Sequence, residues 1–436
     1  MSATLSNGSA LLLYGVPLAA FIALYLMRRR KRERDSALRL SEAQSAGMNE
    51  PASLHPRIDP RRCLGSAACV AACPEKAIGI IAGKAELVNA AACIGHGACK
   101  AACPHDAIEL VFGTARRGMD IPFVKPDFET NVPGLYIAGE LGGMGLIRKA
   151  VEQGRQAIDS IAKRRGGAAA YDVVIVGAGP AGIAASLAAK EKGLRFVTLE
   201  QEDSFGGTVY HYPRHKVVMT APVKLPLVGR MRFGEVSKER LLEFWQAVAA
   251  KTGLEVRFRE RMEGLRAEGG GFVVRSAKAE YRARSVLLAI GRRGTPRKLG
   301  VKGEGRPKVV YRLIDPEQYR GRRVLVVGGG DSALEAALAC AAEPGTAVTL
   351  SYRGEAFSRV KPKNRVALQQ AQAAGRVRVL LSSTVTEIGP AAVTLEHSGK
   401  ALRVDNDTVI VCAGGVLPTP LLKEIGVQVE TKFGSA

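Results

Sequence analysis

Six of the eight cysteines lie between Cys63 and Cys103, in two similar runs, "CLGSAACVAACP" (63–74) and "CIGHGACKAACP" (93–104). Each run spaces its thiols C-x5-C-x3-C and leads into an Ala-Ile pair, Ala77-Ile78 or Ala107-Ile108, that signals a short strand. Thiols clustered this way inside a cell ligate metal rather than pair as disulfides. Cys63, Cys69, Cys73, Cys93, Cys99 and Cys103 are therefore the metal-ligating candidates, and the internal repeat doubles the site.

Glycines carry the second chemistry. "YDVVIVGAGPAGIAAS" (171–186) places Gly177, Gly179, Pro180, Ala181 and Gly182 between an apolar strand and a helix. A lone G-x-G-x-x-G is a weak signal. Here "FVTLE" follows as a second strand and ends in Glu200, twenty-three residues after Gly177. That is where a carboxylate accepts from an adenosine ribose diol while the pyrophosphate sits on the helix N-terminus. The pattern recurs in "RRVLVVGGGDSALEAAL" (322–338), with Gly328, Gly330, Asp331, Ser332 and Ala333. The same offset now lands on Ser351, followed by Tyr352 and Arg353, with Arg359, Lys361 and Lys363 beyond. Cations there pair with a 2′-phosphate that an acid would repel. The first fold is thus expected to hold FAD and the second NADPH, with NADH as the lesser option.

The elements that must position these groups span 436 residues, enough for two or three domains, at a formal charge of +22. With 5% aromatics and no basic patch interleaved with aromatics, nucleic acid is not the expected partner. The excess suits an acidic electron carrier or anionic lipid. Residues 10–27, "ALLLYGVPLAAFIALYLM", are uncharged and would span about 27 Å as a helix, close to a bilayer's hydrocarbon thickness. Arg28–Arg34 then carries six cations, and residues 1–9 none, the reverse of a signal peptide. The expectation is a single inner-membrane anchor, N-terminus outside and catalytic part cytoplasmic. Residues 28–56 read as a basic and polar linker.

The thiol spacing equals the bacterial ferredoxin run C-x2-C-x2-C-x3-C-P with its second cysteine replaced, by Ser66 and by His96. Residues 57–112 thus resemble a two-cluster bacterial ferredoxin domain. The resemblance implies that the last cysteine of each run serves the other cluster. One site would take Cys63, Cys69 and Cys103 with Ser66 nearby, and the other Cys93, Cys99 and Cys73 with His96 as fourth ligand. It implies two [4Fe–4S] clusters, the Ser66 site being open to a [3Fe–4S] form. A degenerate fold without clusters is the bland alternative.

Two Rossmann units in this order resemble the two-dinucleotide-binding flavoproteins of the thioredoxin-reductase-like branch. "FGGTVYHYP" (205–213) is similar to the segment passing the isoalloxazine, which makes Gly206, Gly207 and Thr208 candidates. Tyr210, His211 and Tyr212 read as a strand packing on the ring rather than as proton carriers. "VLLAIGRRGTPRKLGV" (286–301), with Gly291, resembles the crossover between domains, and "DTVIVCAGGVLPTPLL" (407–422) the return. The family then finishes with T-x-x-P-G, a hydrophobic strand, A-G-D and a helix. Here "FETNVPGLYIAGELGGMGLIRKAVEQGR" (128–155) supplies that element before the first Rossmann unit. Thr130, Pro133, Gly134, Ala138 and Gly139 match, Glu140 replaces the aspartate, and a helix over 146–164 follows. The resemblance implies a circular permutation. Glu140 would bond the ribityl chain, and the amides of residues 144–147 would face the flavin's N1–C2=O edge. Residues 430–436 should then lie beside residues 113–123, and strand 135–138 should join the sheet of strand 173–176.

The expected fold class is α/β, two Rossmann-like FAD/NAD(P) domains behind a transmembrane helix and a small α+β ferredoxin-like domain. In chain order these are the anchor (10–27), linker (28–56), ferredoxin-like domain (57–112) and permuted FAD-domain piece (113–165). The FAD domain (166–294), NAD(P) domain (295–413) and return segment (414–436) follow. No C-x-x-C pair stands in the nucleotide domain, and Cys340 and Cys412 sit in apolar surroundings as core residues. The resemblance is accordingly to the cysteine-free relatives, ferredoxin–NADP reductases and bacillithiol-disulfide reductases, the latter through "SYRGEAFSRVKPKNR". It implies an enzyme passing electrons between NADPH and a carrier such as ferredoxin through FAD and clusters, and allows a homodimer. A low-molecular-weight disulfide reductase, or a non-enzymatic iron–sulfur redox sensor, are the alternatives.

Overall fold

Runs of Val, Ile and Leu bounded by glycine turns set the strands, and Ala-rich stretches behind the turns set the helices. The computed structural model describes residues 7–45, 50–51, 54–143, 145–164, 169–292, 294–358 and 360–435. They form two units, one built on residues up to 112 and the other on residues 113–355 and 360–435.

In the first unit a helix α1 (Asn7–Ser45) precedes β1 (His55–Ile58), α2 (Ala68–Ala72), β2 (Ile78–Ile81), β3 (Lys84–Leu87), α3 (Ala98–Ala101) and β4 (Ile108–Val111). β1 pairs antiparallel with β4, and β2 with β3. The two runs of cysteines therefore occupy equivalent places, each with one cysteine in a loop, one in a short helix and one in the turn that follows it. Gly79 lies so close to α1 that a Cβ there would sit 2.6 Å from Ser36 Oγ.

Two expectations about this region are corrected. Helix α1 runs without a break through residues 28–45, where a linker was expected. Arg, Ala, Leu and Glu favour helix there, and Arg29 Nε pairs with Glu33 one turn on at 3.2 Å. The anchor expected over residues 10–27, with its inner-membrane localisation and outside N-terminus, is also overturned. Among the described residues no helix is long and apolar enough to cross a membrane. The apolar stretch also carries Pro17 inside the helix, which removes one backbone hydrogen bond there.

The second unit opens with β5 (Met119–Pro122), β6 (Leu135–Ile137) and α4 (Ile147–Ile161), then β7 (Tyr171–Val176), α5 (Pro180–Glu191), β8 (Phe196–Leu199) and α6 (Lys238–Thr252). Strands β9 (Met262–Glu268), β10 (Gly271–Ser276) and β11 (Glu280–Leu288) complete a six-stranded sheet. Its order is β9-β10-β11-β7-β8, with β6 also parallel to β11, Val286↔Leu135 to Leu288↔Ile137. The strand before Gly139 thus joins the sheet that carries Gly177, through β11.

A second parallel sheet contains β12 (Arg323–Val327), β13 (Ala347–Ser351), β14 (Val377–Leu380) and β15 (Thr408–Val411), backed by α7 (Asp331–Ala342) and α8 (Pro362–Ala373). The last strand, β16 (Val429–Lys432), returns to pair antiparallel with β5, Val429↔Pro122 to Lys432↔Met119. Asp120 fastens this junction: its carboxylate accepts from Thr419 Oγ1 at 3.2 Å and Thr431 Oγ1 at 2.7 Å. These are the two contacts the permuted order requires.

Helix α4 buries Ala150, Val151, Gly154, Ala157, Ile158 and Ile161, and lies on α5. The contact is close because Gly154 has no side chain. A Cβ there would stand 2.1 Å from the Ala181 carbonyl oxygen.

Candidate functional site

Parallel strands leave their ligands at the carboxyl ends, and four chain segments converge at that edge of the first sheet. After β7, Gly177 (φ +105°) turns the chain because a Cβ would meet the Ala289 carbonyl at 2.6 Å. Gly182 lies against the Gly177 carbonyl, 1.8 Å from where a Cβ would be. Gly179 begins α5 with Pro180 in its first turn, and Ala181 packs on Gly139 at 3.0 Å from a Cβ position. Gly206 donates to the Ala178 carbonyl at 3.0 Å, which brings Gly207 against Gly179. A side chain on Gly291 would come within 3.8 Å of Thr208 Oγ1 and 3.9 Å of Glu140 Oε2. Gly139, Glu140, the first glycine turn, the Gly206–Thr208 turn and Gly291 thus ring one cradle.

Glu200 stands at the end of β8, 5% exposed. Its carboxylate accepts from the Ala178 amide at 2.6 Å and the Glu202 amide at 3.0 Å. Burial pushes its carboxyl up, and those amides hold it back. Tyr210, His211 and Tyr212 do not form the expected strand. They follow a short 3₁₀ turn, Gly207–Val209, as a further turn. Tyr210 donates to Asp203 at 2.9 Å, and His211 lies between Glu202, at 3.1 Å, and Arg312.

Sequence reasoning missed Arg292. It follows Gly291, donates to the Asp120 carbonyl at 2.8 Å and faces Glu140. Burial pushes its guanidinium down, while Glu140 and Asp120 pull it back up. A half-buried cation beside the cradle can compensate the charge a flavin acquires on reduction.

The second glycine turn is built on the same plan. Gly328 sits against the Cys412 carbonyl, 2.4 Å from a Cβ position, and Gly330 opens α7 with no atom within 4 Å. Ser332 is exposed in the first turn. Asp331 does not point into the opening alone. It accepts from the Lys361 amide at 2.9 Å and from Asn364 Nδ2 at 2.8 Å, holding the start of α8 beside the turn. Ser351 is fully buried and bonds Ser383 at 2.8 Å, so the position an acid would take is turned inward. Arg353, Lys361 and Lys363 are exposed and enter no ion pair among the described residues. Tyr352 lays its ring against Gly329 and Gly354. Met144 and Arg359 lie outside the described residues. Burial pushes the Cys340 thiol up to about 12, which leaves it protonated and inert.

In the first unit the six thiols divide into two sets of three. Burial pushes the Cys69 thiol up, and its neighbours Cys63 and Cys103 push in the same direction. Cys99 is raised by burial and then by Cys93 and Cys73. The sets are those implied by the ferredoxin resemblance. Backbone amides point at the sulfurs: Ala77 at Cys73, Ala85 at Cys63 and Ala107 at Cys103, each at 3.4 Å. Amides of this kind stabilise thiolate charge and tune a cluster's potential. Cys63, Cys69, Cys103, Ser66 and His105 line one cavity, and His96 is half-buried. Among the described residues no three such side chains converge as they would on a single ion. Thiols set around a cavity, as Cys63, Cys69 and Cys103 are, suit the larger body of an iron–sulfur cluster, so these residues fit that group.

Two glycine-turn Rossmann units joined by a double crossover, with a separate bed of paired thiol triads, define a two-dinucleotide oxidoreductase with an iron–sulfur module. The chain belongs to the pyridine nucleotide-disulphide oxidoreductase family, whose model matches residues 174–433, and residues 55–104 match a 4Fe-4S dicluster domain. It is similar to Bacilliredoxin reductase Bdr of Bacillus subtilis, 26% identical over 268 residues, covering 60% of this chain and 82% of that one. It is likewise similar to a ferredoxin–NADP reductase of Ignicoccus hospitalis, 30% identical over 271 residues, covering 60% and 83%. Among solved structures, the Bacillithiol Disulfide Reductase Bdr (YpdA) of Bacillus cereus matches at a TM-score of 0.53 and 26% identity, covering 59% of this chain and 82% of that one. The chain is an NAD(P)H-dependent flavin oxidoreductase with a 4Fe–4S domain.

Proposed function

We propose that the protein exchanges reducing equivalents between NADPH and a one-electron carrier of the ferredoxin kind. The carrying observation is that two dinucleotide cradles and two thiol triads stand in one chain. FAD, when bound, supplies the conversion between a two-electron hydride donor and one-electron acceptors. The chain's own residues do the rest. Gly177–Gly182 bring the α5 N-terminus to the pyrophosphate, and Glu200 accepts from the adenosine ribose. Glu140 positions the ribityl chain, and Arg292 sets a cation beside the ring's place. At the second turn Gly328 and Gly330 seat the nucleotide, while Arg353, Lys361 and Lys363 favour its 2′-phosphate. The triads Cys63–Cys69–Cys103 and Cys93–Cys99–Cys73 hold the clusters, with His96 as a further ligand. The ferredoxin–NADP reductase relatives support the choice of carrier.

The test is an anaerobic NADPH titration of the purified chain, followed by visible absorption and EPR, with iron and labile sulfide quantified. Bleaching of the flavin together with appearance of reduced-cluster signals is the expected outcome. Protein without iron, or clusters that NADPH leaves oxidised, would count against the reading.

A second reading rests on the Bdr relatives and on the Tyr352–Gly354 segment. In it, NADPH and a proton reduce a small disulfide to two thiols, and the first unit has no part in turnover. Disulfide-dependent NADPH oxidation that survives replacement of all six clustered cysteines by alanine would favour it.

A further inference from the structure

The two cysteine runs superpose in sequence at a constant offset of thirty residues, Cys63 on Cys93 and Cys73 on Cys103. Their local structure repeats as well. Cys73 takes the Ala77 amide and Cys103 the Ala107 amide, both at 3.4 Å. Under the same offset Glu75 falls on His105, each two residues past the last cysteine of its run. That cysteine crosses to the other triad, so the residue after Cys-Pro is carried to the other triad too. For His105 the placement is seen directly, since it lines the cavity of Cys63, Cys69 and Cys103.

Each triad offers three sulfurs where a cubane has four irons, because Ser66 and His96 stand where the second cysteines would be. Around the first cavity, only Ser66 and His105 bring a side-chain donor atom other than sulfur. A neutral imidazole is a good iron ligand at pH 7, whereas a hydroxyl must lose a proton that it holds tightly. His105 is exposed at the cavity's mouth, so its ring can turn inward without disturbing the core.

We propose that His105 supplies the fourth ligand of the iron–sulfur cluster held by Cys63, Cys69 and Cys103. This rests on the cluster reading above and goes beyond it by assigning the open corner to a histidine outside the ferredoxin motif. An imidazole in place of a thiolate makes that cluster one charge less negative and raises its potential. The second triad, with the Glu75 carboxylate at the equivalent position, is then the lower-potential centre.

The experiment uses the full-length chain purified anaerobically, in a His96→Ala background so that nitrogen from that residue is absent. Iron and sulfide content, EPR at controlled potential and pulsed-EPR nitrogen coupling are compared for His105→Ala, His105→Cys and Ser66→Ala. His105→Ala is expected to lose about one iron and show an oxidised three-iron signal, with the histidine nitrogen coupling gone. His105→Cys should keep its iron, lose the coupling and shift one centre to lower potential. Ser66→Ala should match its parent. The proposal is overturned if His105→Ala retains the parent's iron, coupling and potentials, or if Ser66→Ala produces the three-iron signal instead. A parent chain that holds no iron at all overturns the cluster reading beneath it, which is a separate and visible failure.

Discussion

Substituting Gly154 by alanine tests whether the helix that precedes the first Rossmann unit is part of that unit's core. Helix α4 lies on α5 through Gly154, and a Cβ there would stand 2.1 Å from the Ala181 carbonyl oxygen and 2.9 Å from its carbon. Ordinary contact begins near 3.4 Å, so the helices must part by about 1.3 Å. The obstacle is backbone in the first turn of α5 and cannot rotate away. Overpacking of this sort costs about 3 kcal/mol at the upper end of its usual range. Alanine returns about 1 kcal/mol through its better helix propensity. The net loss of about 2 kcal/mol is a factor of roughly 30 in the folded-to-unfolded ratio. At about 2–4 °C per kcal/mol, Tm should fall by roughly 4–8 °C.

FAD content should fall as well, because Ala181 belongs to the turn that would hold the pyrophosphate. Differential scanning calorimetry and flavin absorbance of the purified variant read both effects. Gln156→Ala, on the exposed side of the same helix, should change stability by no more than about 0.5 kcal/mol. A Gly154→Ala protein with unchanged or higher Tm and full flavin would mean that α4 does not seat on α5. The reasoning that joins residues 128–161 to the flavin cradle would then fail.

Replacing Arg353 and Lys361 by glutamate should lower the kcat/KM preference for NADPH over NADH about 10–100-fold, the value of a charge-assisted bond to the 2′-phosphate. Steady-state kinetics with each nucleotide and a dye acceptor reads it. Acid sensitivity follows from Asp407, whose carboxyl the Arg323 side chain and amide hold down to about 2. A depressed carboxyl stabilises the fold above its ordinary range near pH 4 and loses that contribution as pH falls through about 2. The side chain is 37% exposed, so solvent screening leaves about 1 kcal/mol. Asp407→Asn should thus lower the urea midpoint at pH 7, and the gap to the parent should shrink by roughly half at pH 3.

What the sequence shows of this molecule is what repeats at a fixed period or offset. The glycine turns at Gly177 and Gly328 and the carboxylate at Glu200 depend on spacing along the chain. The crossed triads and the Thr130–Glu140 element are what the family resemblances imply. What escaped reading depends on where side chains meet. Residues 28–45 mix charge with alanine and leucine, a composition equally suited to a linker, and only the continuous hydrogen-bonding of α1 decides the matter. Ser351 could be identified as a non-acid, but its turning inward to Ser383 comes from the packing of two strands thirty-two residues apart. Arg292 escaped because its partners, Asp120 and Glu140, lie far upstream and reach it only through the permuted order. His105 did carry a signal, its equal offset from Cys-Pro in both runs, which gains meaning only when the last cysteine is known to cross between triads.

The permuted order also explains why Asp120 matters to both ends of the fold. In a chain of this connectivity residues far apart in the sequence meet beside the cradle at one junction. Glu140 comes before the first glycine turn, and the return strand β16 comes after the second. Nothing covalent brings them together. Asp120 does so with three bonds: hydroxyls of Thr419 and Thr431 on its carboxylate and the Arg292 guanidinium on its carbonyl. The β5–β16 pairing lies beside these bonds. The cation beside the flavin's place and the strand that ends the nucleotide domain's return are therefore held by one residue. Loss of that carboxylate should loosen the return segment at Thr419 and Thr431, while Arg292, held by the main-chain carbonyl, keeps its partner as long as the β5–β16 pairing keeps residue 120 in place.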